Sequence, residues 1–220
     1  MAQAALRPTI RGPTFIRLLA RLAAMDVAAP GGSVPDRLGQ WLDWKHALSL
    51  AAALDGHPVA HEASAATLDD LPAECARARD TLRAAIRNET LLAADAAAEP
   101  DFAPYRQACL ARQRAMQSTT GRLRGRLRDA LAQGSADAAR LADVDAVMEV
   151  ALTPREHALL ANVPALLERR FARLRAGGTP SWLDTFRRDM HGVLLAELDL
   201  RFQPVDALLA ALHTHQEPSS

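Results

Sequence analysis

Two histidines four apart, His57 and His61, with Glu62 beside the second, have the spacing most suggestive of metal chemistry in this 220-residue chain. On a helix that spacing sets both imidazoles on one face, as zinc sites use it. Gly56 and Pro58 make the segment a loop instead, and no third or fourth ligand follows nearby, so no metal is expected. His213 and His215 fall at a fraying end, and His191 is read as a core or half-buried histidine within a packed helix. The sequence has no GxSxG, GxGxxG, HExxH, P-loop or EF-hand pattern. Its acids mostly stand where helix surfaces and first turns favour them. No catalytic, cofactor-binding or metal residue is assigned, and the chain is read as not an enzyme.

The strongest electrostatic feature is a run of seven arginines and no acid between Arg106 and Arg128. Arg122, Arg124, Arg126 and Arg128 alternate, which on a helix splits them into two roughly opposite stripes flanking Leu123 and Leu127. Such stripes suit coiled-coil flanks facing an acidic helix, and the preceding arm, Asp36 to Asp101, carries twice as many acids as bases. A structural role inside the hairpin is the favoured account, and a partner-binding surface is the alternative. Phosphate contact is the alternative, although no aromatic interleaves the arginines to stack single-stranded bases. Trp41 and Trp44 are three apart; Trp41 shares the Leu38/Leu48 face and should be core. Trp44 lies about a hundred degrees further round, where packing under another helix is favoured, since exposed Trp is uncommon, and a partner surface is the alternative.

These residues need helices to position them, and the composition supplies helices. The chain holds 47 Ala and 33 Leu against twelve Ile and Val together, which disfavours every sheet-based fold. A first helix should begin near Pro13-Thr14, bury Phe15, Leu18, Leu19 and Leu22, and turn Arg17 and Arg21 outward. Ala28 to Ser33 is a break, and a second helix from Ser33–Asp36 should bury Leu38, Trp41, Leu42, Lys45 and Leu48 and stop at Asp55-Gly56. After a loop from His57 to Asp70, Pro72 opens a helix to about Ala98 with a seam of Cys75, Ala78, Leu82, Ala85, Glu89 and Leu92. Pro104 opens the next, to about Gln133, with Cys109, Gln113, Met116, Thr120, Leu123, Leu127 and Ala130 at heptad spacing. Their short connection implies a long antiparallel hairpin.

Beyond Gly134-Ser135 a short helix holds Leu141, Val144, Val147 and Met148. Thr153-Pro154-Arg155-Glu156 has the form of a capping box and predicts a new helix, with Pro164 kinking or restarting it before Gly177-Gly178. Thr179-Pro180 starts another, with Trp182, Phe186, Met190, Val193, Leu194 and Leu198 inward. Pro204 should interrupt it, leaving a last short helix through Val205, Leu208, Leu209 and Leu212. The division is a lead-in over 1–12, one all-α domain over 13–215 with the hairpin at about 72–133, and a disordered tail over 216–220.

Twenty-six basic and 26 acidic residues balance to zero, unlike the basic footprint of a general nucleic-acid binder. Cys75 and Cys109 form no CxxC and are read as thiols in a reducing compartment. Arg17 and Arg21 cut the N-terminal apolar stretch, and no uncharged apolar run approaches the roughly 20 residues of a membrane helix. The expectation is a cytoplasmic protein without membrane insertion.

The segments Phe15-Ile-Arg-Leu-Leu-Ala-Arg-Leu22, Asp36-Arg-Leu-Gly-Gln-Trp-Leu-Asp-Trp44 and Leu194-Leu-Ala-Glu-Leu-Asp-Leu-Arg-Phe-Gln-Pro204 resemble an uncharacterised proteobacterial protein family, a domain of unknown function of about this length. The resemblance spans nearly the whole chain and implies one domain, with no activity, cofactor or catalytic residue to carry over. It also implies genes beside those of membrane proteins similar to proton-channel stators and peptidoglycan-binding outer-membrane proteins, and hence an accessory subunit of an envelope complex. The combined expectation is an all-α helical bundle around a long antiparallel hairpin, with shorter N- and C-terminal helices. Its function is read as a non-enzymatic interaction or adaptor protein without a cofactor, docking protein partners or a second copy through Trp44 and the arginines at 122, 124, 126 and 128. The alternatives are a nucleic-acid-associated regulator using the Arg-rich helix 106–128 and an all-α enzyme with a site where the hairpin meets the C-terminal helices.

Overall fold

The computed structural model describes residues 14–23, 39, 42–56, 70–88 and 101–216, and no strand occurs among them. The helices are α1 (Thr14–Ala23), α2 (Trp44–Asp55), α3 (Leu71–Arg87), α4 (Ala103–Ala132), α5 (Ala136–Leu160), α6 (Val163–Ala176) and α7 (Trp182–Gln216). The expected lead-in, the Ala28–Ser33 break, the Ser33–Asp36 cap, Trp41, the His57–His61 loop and the seam positions Glu89 and Leu92 lie outside the described residues.

Helix α4 is the central element, 30 residues and about 45 Å long at 1.5 Å per residue. All seven expected seam positions, Cys109 through Ala130, are buried. α7 covers most of that seam and α5 flanks it; α3, only 17 residues long, packs on both α4 and α7. Glu74 in the first turn of α3 meets Arg122 and Arg126 in the second half of α4. At the opposite end Phe102, Tyr105, Phe171, Trp182 and Phe186 form an edge-to-face cluster that joins α4, α6 and α7. α1 docks on α6 and α7 through Phe15, Ala20 and Leu22, and the Arg173 guanidinium donates to the Leu22 carbonyl at 2.7 Å. Gly178, at φ 63°, turns the chain between α6 and α7 in a conformation that side chains disfavour.

Four expectations about helix ends and faces need correction. Thr153-Pro154 does not begin a helix: α5 runs through it to Leu160, and the Thr153 hydroxyl donates back to the Glu149 carbonyl at 2.6 Å. Pro204 likewise lies inside α7, a long bent helix of 35 residues. Each proline removes one N–H and crowds the carbonyl four residues back; around Pro204 the burial of Phe202, Val205 and Leu208 offsets that local cost. The expected helix is not continuous to Asp55: Gly39 is helical, but Asp43 is extended and its carboxylate accepts from the His46 N–H at 2.9 Å, capping a helix that starts at Trp44. Lys45 and Leu48 then face outward, and the half-buried residues on α2 are His46, Leu50 and Ala53, on the helix that packs against α5. In α5 the buried residues near its start are Ala138, Ala139 and Ala142, while Leu141 stays exposed.

Candidate functional site

The alternating arginines fall into the two stripes that helical geometry demands, and both stripes are matched within the chain. Arg122 Nη1 lies 2.6 Å from Glu74 Oε1, and Arg126 pairs with the other oxygen of the same carboxylate. On the opposite stripe Arg124 lies 2.7 Å from Asp145 and 3.3 Å from Glu149, and Arg128 lies 3.0 and 2.5 Å from the same two carboxylates. For Arg128 burial works against the charged form, but bonds to Glu149 and Asp145 outweigh it and hold its pKa above the usual guanidinium value. The sequence foresaw the acidic arm that faces the first stripe; α5, which faces the second, lay beyond the hairpin it considered.

Trp44 opens α2 with 76% of its surface exposed, and Leu48 and Leu54 are each about half exposed. With Ala47 and Ala51 they share one side of the helix, away from the half-buried residues that mark the α5 contact. His57 and His61 lie outside the described residues. Among the described residues no group of three His, Cys, Asp or Glu is placed to hold a metal ion. His191 is half-buried, its Nε2 3.0 Å from the Ile86 carbonyl, as a structural histidine capping the end of α3.

The sequence did not single out Glu197, which is fully buried in α7. It accepts from Gln113 Nε2 at 3.0 Å and from Arg201 Nε at 2.9 Å; Arg201 also reaches Glu156 on α5 at 2.9 Å. Gln113 Nε2 also donates to the Leu160 carbonyl at 3.1 Å, so one polar cluster ties α4, α5 and α7. Burial pushes the Glu197 carboxyl above the ordinary carboxylate range, against the pull of Arg201 and Gln113. A readable signal existed: Glu197 sits three and four residues from Leu194, Val193 and Arg201 on the inward face of an apolar helix.

Beside that cluster lies a cleft of about 670 Å³ where α5 passes over α4 and α7. Between Ala142 and Leu160, α5 buries no residue, and Pro154 lies in that stretch. Thr120 and Gly121 line the cleft from α4, Leu152, Glu156 and Leu159 from α5, and Leu200, Arg201 and Pro204 from α7. This is the junction where the enzyme alternative put its site. Its two carboxylates are held by arginines, Glu149 by Arg124 and Arg128 and Glu156 by Arg201, so neither stands ready as a base.

The model of a family described as "Protein of unknown function (DUF3348)" matches residues 1–214. No curated protein and no solved structure matches the chain. Among the described residues, no helix is long and apolar enough to cross a membrane.

Proposed function

We propose that this chain, which belongs to the family of proteins of unknown function DUF3348, is a non-enzymatic helical interaction protein of the cytoplasm. It docks an apolar helix of a partner protein on the outer side of α2. The observation that carries the reading is the exposure of Trp44, Ala47, Leu48, Ala51 and Leu54 on that side. Covering Trp44 and the two leucines gains up to about 1.5–3 kcal/mol each, enough for a specific contact. The internal pairing of Arg122, Arg124, Arg126 and Arg128 weighs against phosphate binding and moves the docking face from the arginines to α2. Subunits of an envelope complex are the first candidates for the partner.

A photo-reactive benzoylphenylalanine placed at Leu48 of the full chain in its host tests this, with Asp129, exposed on α4, as the control position. The expected outcome is a discrete cross-linked protein from position 48 that is lost on Trp44→Glu and absent from position 129. Equal labelling from both positions, or none from 48, refutes the docking face. A cross-link to the chain itself, with a dimer in sedimentation, replaces the separate partner by a second copy.

A further inference from the structure

The line along which α5 faces the bundle changes character in its middle. Ala138 and Ala142 begin it and Leu160 ends it, all three buried. The positions that continue it at steps of three and four are Asp145, Glu149, Leu152 and Glu156. Three of these are carboxylates, and each is met by arginine: Asp145 and Glu149 by Arg124 and Arg128 of α4, Glu156 by Arg201 of α7. Leu152, the apolar member, is half-buried and borders the cleft. The seam of α4, by contrast, is apolar at Met116, Leu123 and Leu127, none of which has exposed surface.

The two kinds of contact hold differently. Apolar contact gains from leaving water, whereas an ion pair must first repay the desolvation of both partners. The side chains of Arg124, Arg128, Asp145 and Glu149 keep 13–24% exposure, so dissolved ions reach the pairs. Parting them leaves like charges four residues apart on each helix, Arg124 with Arg128 and Asp145 with Glu149, a repulsion that salt relieves. Pro154 lies in the same span and gives no N–H to the Val150 carbonyl, so the helix lacks one of its own bonds there. α2 depends on this span. Its main neighbour among the described residues is α5, it buries no residue fully, and its half-buried face is only His46, Leu50 and Ala53.

We infer that α2 and the span 143–159 of α5 form one detachable layer, latched to α4 and α7 by the ionic line and released from them as a unit. Ala138, Ala142 and Leu160 are its fixed ends, the last with its carbonyl held by Gln113. Opening carries the α2 face away from the bundle and uncovers Arg124 and Arg128. The layer exists whether or not a partner occupies α2.

Hydrogen exchange of the full chain, read by mass spectrometry under conditions where exchange reports the opening equilibrium, tests this. Residues 47–53 of α2 and 147–159 of α5 should share one opening constant, at least about 100-fold larger than that of residues 116–127 of α4. The isosteric pair Asp145→Asn and Glu149→Gln touches α4 and leaves the half-buried face of α2 intact. It should nevertheless speed exchange in α2 and α5 alike by about tenfold or more, with α1, α3 and α4 within about threefold of the parent. Raising sodium chloride from about 0.05 to 0.5 M needs no variant, so it decides the matter even if the double substitution folds poorly; it should speed α2 and the α5 span by about threefold or more. Protection of 147–159 equal to that of 116–127, an α2 that opens independently of α5, acceleration spread evenly over all helices, or no response to salt overturns the inference.

Discussion

Glu197 is the residue where burial, charge and helix packing can be separated most cleanly. Its carboxylate has no exposed surface and is held by one neutral donor, Gln113, and one cation, Arg201, which it shares with Glu156. Glu197→Ala removes both bonds and opens a void between α4 and α7. Breaking a buried pair costs about 3–5 kcal/mol, and Arg201 keeps Glu156, so the lower end, about 3 kcal/mol, applies. For a domain of this size that lowers Tm by about 6–12 °C. Glu197→Gln keeps the shape and exchanges charge-assisted bonds for neutral ones while relieving the desolvation, so it should stay within about 1–2 kcal/mol of the parent.

The same pair of proteins gives a sign. The folded-state pKa of Glu197 lies above its unfolded value near 4.5, so the native state takes up the proton first. The stabilisation from that uptake is complete below the unfolded value and is lost as pH rises through the folded one. The Gln variant has no such loss, so its stability relative to the parent should rise as the pH is taken upward from about 4.5 into the neutral range. Urea unfolding followed by circular dichroism across that range reads the difference directly, because other titrating groups cancel between the two proteins. If the Gln variant instead loses ground as pH rises, the Arg201 charge rather than burial governs the carboxyl. If Glu197→Ala costs under about 1 kcal/mol, the cluster is not the buried tie described here.

Phe186 has no exposed surface and stands 5.0 to 6.1 Å from the rings of Phe171, Tyr105 and Phe102; Phe186→Ala should cost about 3–5 kcal/mol in urea unfolding, and a loss near 1 would show that the cluster collapses around the gap. Ser135 accepts from the Ala138 N–H at the start of α5, so Ser135→Ala should cost about 1 kcal/mol while Ser135→Asp stays near the parent. Burial raises the thiol pKa of Cys75 and pushes that of Cys109 up to about 12, with Asp206 and Glu197 adding to the respective effects. Neither should react with Ellman's reagent at pH 8 until urea unfolds the chain; fast labelling of native protein would place one of them at the surface.

The seam of α4 could be read residue by residue because its period depends on that helix alone: every core-facing position from Cys109 to Ala130 repeats at steps of four and three. The inward face of α7 was legible on the same ground, from Phe186 through Leu198. Sequence reasoning failed where a local rule met a tertiary answer. Thr153-Pro154 and Pro204 carry the signature of boundaries, yet α5 and α7 run on across them, α7 with Phe202, Val205 and Leu208 buried around its proline. Trp44 was read as core in preference to surface, yet it is 76% exposed, because its fate depends on where α2 docks and only the short face of His46, Leu50 and Ala53 is turned inward. The cleft had no sequence signal: it is a gap set by the path of α5, and its lining comes from three helices separated by many turns of chain.

The way α7 is used sets the order in which the molecule can be made. α1, which leaves the ribosome long before them, has α6 and α7 as its main partners, and α3 and α4 also rest on α7. At ordinary synthesis rates of about 5–20 residues per second, α1 waits on the order of ten seconds or more for the surface that buries Phe15 and Leu22. During that interval the nascent chain displays several amphipathic helices with no common counterpart, the form that chaperones retain. A premature stop before Trp182 therefore yields no smaller version of this fold, and a tag that delays release of the last helix delays the whole.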